Sequence, residues 1–87
     1  MVMDRFHIMI KDTQNDMKEL IKNPDKLPWY MSISQLEMTI DELDKMDQIR
    51  DSKSFYPFYP RGITDCWDMD DKLGKKLFDI LEAYKKL

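Results

Sequence analysis

Few residues in this chain are suited to chemistry: one histidine, His7, one cysteine, Cys66, and the acidic run Asp65-Cys66-Trp67-Asp68-Met69-Asp70-Asp71. The run invites a calcium reading. A helix–loop–helix calcium site takes oxygen ligands at alternate loop positions, with glycine at its sharp turn. Counted from Asp68, the fifth and sixth positions are Lys72 and Leu73, so a cation and an apolar side chain stand where a ligand and the glycine are needed. The carboxylates read more simply as acids at the start of a helix, facing its positive dipole end. A zinc site of the ordinary type needs three or four Cys, His or carboxylate ligands held together, and His7 and Cys66 cannot assemble one. A helix N-terminus activates a thiol, but Asp65 and Asp68 oppose the thiolate, and Cys66 falls on an apolar stripe, where it reads as a small buried hydrophobe. Gly62 and Gly74 are the only glycines, too few for a phosphate-cradling loop. The expectation is a protein that is no enzyme and holds no metal and no cofactor.

Binding chemistry is better represented. Of ten aromatic residues, six lie between apolar stripes: Trp29, Tyr30, Phe55, Tyr56, Phe58 and Tyr59. Large rings close the open ends of short helices economically. Tyr, Trp and Arg also concentrate at interface hot spots, and the proline-stiffened segment Phe55-Tyr56-Pro57-Phe58-Tyr59-Pro60-Arg61 has little entropy left to lose on binding. The expected division is Phe55 and Phe58 inward, since they lack a polar handle, with Tyr56, Tyr59 and Arg61 outward. Trp29, Tyr30 and the acids Glu37, Asp41 and Asp44 complete the candidate partner-binding set.

Three elements must position these residues. Met3, Phe6, Ile10, Met17 and Leu20, with Thr13 in the gap, step by three and four, which predicts a helix from Met3 to about Lys22. The alternation expected of a strand is poor over Arg5–Ile10. Asn23-Pro24 ends the helix. A linker over 23–32 leads to a second helix, capped at Ser32 or Ser34, with Leu36, Ile40, Leu43 and Met46 as its stripe, extended by Ile49. Its other face carries Glu37, Asp41, Glu42, Asp44, Asp47 and Asp51 against Lys45 and Arg50. Pro57 and Pro60 are expected to keep the next segment out of helix. A third helix then runs from about Asp65 to the C-terminus along Cys66, Met69, Leu73, Leu77, Ile80, Tyr84 and Leu87. Gly74 inside it costs about 1 kcal/mol relative to alanine and marks a close approach, with the aromatic loop as the candidate to cross there. The predicted fold is all-α: one domain over 1–87, a three-helix bundle or open helical array with a long aromatic and proline loop between the second and third helices.

Composition sets the outer bounds. The 87 residues are 43% hydrophobic and 36% charged, with net charge −3 and a pI of 5.0. A general nucleic-acid binder carries a basic face and a pI above about 9. The eight methionines suit an adaptable surface, although Met3, Met17, Met46 and Met69 fall on the stripes. No apolar run reaches the length a membrane helix needs, the N-terminus lacks the apolar core of a signal peptide, and a lone cysteine suits a reducing compartment, so a cytoplasmic protein is expected. The functional expectation is a small acidic interaction protein of the inhibitor, immunity, antitoxin or phage and bacterial regulator type, acting on a protein partner. An acidic helix face can occupy a basic site on such a target. The alternatives are a self-associating structural domain and, less favoured, a nucleic-acid binder using Lys72, Lys75, Lys76, Lys85 and Lys86 on the third helix; a DNA-reading helix-turn-helix needs a shorter turn than residues 52–64.

Overall fold

A computed structural model describes residues 4–87, and Met3 of the first stripe lies outside them. Of the described residues 71% are helical, and none is in a strand. Helix α1 spans Arg5–Lys22, capped by Asp4, whose side chain accepts from the amides of Phe6 and His7. A short 3-10 turn at Pro24–Lys26 leads to α2, Ile33–Ile49, capped by Ser32 through the amide of Gln35. Helix α3 is Tyr59–Cys66 and α4 is Lys72–Lys85.

The first two helices follow the apolar periodicity. Phe6, Ile10, Thr13, Gln14 and Met17 are the buried face of α1, and Leu36, Thr39, Leu43 and Met46 that of α2. Ile40 is half-buried and Ile49 is exposed, because α2 stops there. Arg50 closes α2 in the left-handed conformation, φ 54°, with its amide bonded to the Met46 carbonyl at 2.9 Å. Helix α1 is the centre of the assembly and packs against both α2 and α4, while α3 packs against α2 and α4. The lysine of α4 that reaches another helix, Lys76, bridges Asp12 at 2.9 Å and Asp16 at 2.5 Å on α1, so the acidic α2 is not its partner. Gln14 is buried between α1 and α2 and uses both amide hydrogens, to the Ile40 carbonyl at 2.9 Å and to Asp44 at 2.8 Å. Such full satisfaction lets a polar side chain sit in a core.

The expected third helix is two helices. Pro60 does not exclude the aromatic segment from helix; it occupies the first turn of α3, where its missing N–H is not needed. Trp67 is extended, Asp68 accepts from the amide of Asp70 at 3.0 Å, and Asp71 caps α4 through the amide of Gly74 at 3.0 Å. The aspartates taken for first-turn acids of one long helix thus build the break between two, because short carboxylates compete for backbone amides. The break shifts the phase of everything before it. Ile63 and Trp67 face the core, whereas Cys66 is exposed, Met69 is 93% exposed, and Leu87 lies exposed beyond α4. Close approach at Gly74 is present, but the neighbour is Trp67 and not the aromatic loop: a Cβ there would lie 3.4 Å from the Trp67 ring. Leu36, Leu43, Leu77, Ile80 and Tyr84 have no exposed surface; truncating one of these leucines to alanine costs roughly 2–5 kcal/mol.

Candidate partner-binding groove

Between α2 and α3 lies a groove of about 550 Å³, lined also by the segment around Trp29 and Tyr30. One wall is α2 through Gln35, Met38, Thr39 and Glu42, and the other is α3 through Tyr59, Gly62 and Cys66, with Phe58 at the mouth. Trp29 is 93% exposed, Phe58 79% and Met38 62%. Single exposed apolar residues are ordinary on protein surfaces, but a contiguous group rimmed by polar side chains marks an interaction site.

The groove is held by bonds from both walls. Glu42 accepts the backbone amides of Phe58 and Tyr59 and so caps α3 from a neighbouring helix. Burial raises the Glu42 pKa, only partly offset by those two amides and by Lys45. At the other end of α3, the Trp67 indole donates to the Gln35 side-chain carbonyl at 3.0 Å. Tyr59 is 4% exposed, and its hydroxyl donates to the Leu77 carbonyl of α4 at 2.8 Å. Desolvation, with Glu42 nearby, pushes its pKa far up. At Gly62 an added Cβ would lie 3.0 Å from the side-chain Nε2 of Gln35.

Trp29 is exposed yet supported from beneath. Its ring meets Tyr30 edge-on at 5.7 Å, and Tyr30 leans on Trp67 at 6.3 Å. The Tyr30 hydroxyl donates to Asp71, the cap of α4, and that carboxylate, with burial, pushes the tyrosine pKa up to about 12. The ring at the mouth therefore stands on a column anchored in the α3–α4 break.

The structure gathers only part of the expected binding set. Trp29, Tyr30 and Tyr59 line the groove, but Tyr59 presents its ring and hides its hydroxyl. Tyr56 and Arg61 are exposed and Glu37 and Asp41 stand on the outer face of α2; none of the four lines the groove. Asp44 turns to α1, where it binds Gln14 and lies 3.6 Å from Lys11. The inward assignment of Phe58 and the outward one of Tyr59 are reversed. Helix α3 begins at residue 59, so 59, 63 and 67 share its inner face and 58 is left at the mouth. Phe55 is half-buried against the core, under Lys45. Sequence reasoning missed Met38, Phe58 and Cys66. Met38 was legible, since it interrupts the polar face of α2 away from the Leu36, Ile40 and Leu43 stripe.

His7 is occupied elsewhere, its Nδ1 2.5 Å from Asp47 of α2. Among the described residues no group of three or more His, Cys, Asp or Glu side chains could hold a metal ion, and no helix is long and apolar enough to cross a membrane. No protein-family model, curated protein or solved structure matches the chain.

Proposed function

We propose that this is a non-enzymatic binding module that takes a partner protein in the groove between α2 and α3, in the manner of a small acidic inhibitor or regulator. The observation that carries this reading is the convergence of Trp29, Met38 and Phe58, all well exposed, on one groove. Burying large exposed rings on association supplies the favourable term in most interfaces, at roughly 25 cal/mol per Å² of apolar surface removed from water. The column beneath Trp29 and the capped start of α3 mean that little side-chain freedom is lost on binding. Nucleic-acid binding through α4 is less favoured, because Lys76 is engaged by Asp12 and Asp16, and Lys85 lies 3.7 Å from Glu82.

A photoreactive amino acid at position 38, compared with one at the exposed Lys18 of α1, tests the proposal in the native host. The expected result is one protein cross-linked from position 38 and not from 18, which then binds the purified chain in solution. Equal labelling from both positions would refute the groove as the contact surface.

A further inference from the structure

We infer that one wall of the groove is a latch: residues 56–70, with α3 at their centre, open and close as one unit against a frame of α1, α2 and α4, and Glu42 of α2 holds the closed form. The inference concerns the chain alone and stands apart from the binding reading. The first argument is how α3 is capped. Helices α1, α2 and α4 each begin at a side chain of their own that accepts a backbone amide, from Asp4, Ser32 and Asp71. Helix α3 follows Phe58, which offers none. Its starting amides, of Phe58 and Tyr59, are taken by Glu42, and its far end is tied through the Trp67 indole to Gln35. Both fastenings come from α2. At eight residues, α3 is shorter than the roughly 12–15 at which an isolated helix is even marginal in water, so it is helical only where it is docked.

The second argument is that the frame holds without it. Helix α1 packs directly on α2 and α4, and Gln14 and Lys76 tie those two interfaces with no part played by α3. The chain on either side of the unit is pinned to this frame. The Tyr84 hydroxyl of α4 lies 2.9 Å from the Asp51 carbonyl and 2.6 Å from that of Phe55, while Asp71 caps α4 and accepts from Tyr30. Motion is thereby confined between Phe55 and Asp71. Tyr59, Ile63 and Trp67 are in the core, so the closed form predominates, but an element fastened in this way opens before the whole molecule unfolds. Opening removes the α3 wall and, with Trp67, the ring on which Tyr30 leans. The groove is therefore complete only in the closed form, and an occupant touching both walls holds the latch shut.

Native-state hydrogen exchange of the purified chain, followed by NMR at low and rising urea, tests this. The amides of residues 63–67 and the Trp67 indole N–H should share one opening with little urea dependence, while the slowest amides of α1 exchange by global unfolding. Ile10→Val, in the core of α1, should speed those α1 amides several-fold and leave the α3 group unchanged. Glu42→Ala should speed the α3 group roughly tenfold, whereas Glu42→Gln, which keeps a carbonyl acceptor, should not. Convergence of α3 and α1 on one opening, accelerated alike by Ile10→Val, would overturn the latch. Protection lost gradually from one end of α3, with the Trp67 indole unaffected, would show fraying and overturn it as well. A separate α3 opening that Glu42→Ala leaves unchanged would overturn the part given to Glu42. If Glu42→Ala does not fold, Glu42→Asp, which draws the carboxylate back, decides the same point, and the Ile10→Val comparison stands without either.

Discussion

Phe58 and Tyr59 are adjacent, similar in size and opposite in role, and the difference lies in one hydroxyl and one helix boundary. On sequence grounds the phenylalanine belongs inside, because it has no polar handle. In the structure the tyrosine goes inside, because the Leu77 carbonyl is there to receive its hydroxyl, and a satisfied buried hydroxyl carries little penalty. We expect Phe58→Ala to leave stability within about 1 kcal/mol, as for an exposed side chain. Tyr59→Ala should cost about 3–5 kcal/mol and Tyr59→Phe about 1 kcal/mol, for one lost hydrogen bond to a carbonyl that keeps its own partner inside α4; urea melts of the three variants check this order, and a Phe58→Ala as damaging as Tyr59→Ala would refute it. Arg50 gives a second test at this scale. It holds the left-handed conformation at the end of α2 while its guanidinium pairs with Asp4 and with Asp47 and lies over the Phe6 ring. Arg50→Ala loses the pairs and keeps the backbone strain; Arg50→Gly loses the pairs and relieves it. Glycine should therefore be the milder replacement by about 1 kcal/mol, and thermal melts in which alanine is equal or better would show that the strain is not real.

Elements were legible where one apolar stripe served one core. The end of α1 at Asn23, the start of α2 at Ser32, one of two serines the sequence offered, and the phases of both follow from the sequence through the spacing of Phe6, Ile10, Leu36 and Leu43, whereas the start of α1 was expected at Met3 and its cap at Asp4 was not read. Helix α3 was hidden for two reasons. Pro60 looks like a breaker, yet a proline in the first turn starts a helix, and the cap that makes the start possible, Glu42, comes from α2 and has no local signature. The break before α4 was hidden because Cys66, Met69 and Leu73 happen to keep helical spacing across it. Glu42 is the natural probe of α3. Burial raises its folded-state pKa, so its contribution to stability is complete below the unfolded value, about 4.3, and declines as pH rises through the folded value. Glu42→Gln keeps a carbonyl acceptor for the Phe58 and Tyr59 amides and sheds the buried charge. It should melt no lower than the parent at pH 7, with the difference shrinking toward pH 4, whereas Glu42→Ala should cost about 1–2 kcal/mol for the lost cap. A Glu42→Gln protein clearly less stable at pH 7 would mean that the carboxylate is net favourable where it stands.

The whole molecule is organised around α1, tied to α2 by Gln14 and by the cluster of Asp4, His7, Asp47 and Arg50, and to α4 by Lys76. In that cluster burial works to raise Asp47, but hydrogen bonds from Arg50 and His7 outweigh it; for Asp4, desolvation is likewise overcome by Arg50 and by the amides of His7 and Phe6. Both carboxylates thus lie below their usual range. Their contribution is complete above the unfolded value of about 3.9 and is lost as pH falls through the folded values, the reverse of Glu42. We expect stability to drop on acidification below about pH 4 and Asp47→Asn to flatten that drop; an unchanged acid limb in the variant would remove the cluster from the acid response. On the proposed reading, the surface that meets a partner is the face of Trp29, Met38 and Phe58, three of the exposed large apolar residues. The direct measurement is the affinity of the protein captured from position 38 for the chain carrying Trp29→Ala with Phe58→Ala, beside an equally folded double alanine variant of the exposed α1 residues Lys18 and Glu19. Loss of two exposed aromatic anchors should weaken binding by roughly 100-fold, at about 1.4 kcal/mol per factor of ten, while the α1 variant binds like the parent. Undiminished binding by the Trp29 and Phe58 variant, with its helical melt intact, would contradict the groove as the working surface of this protein.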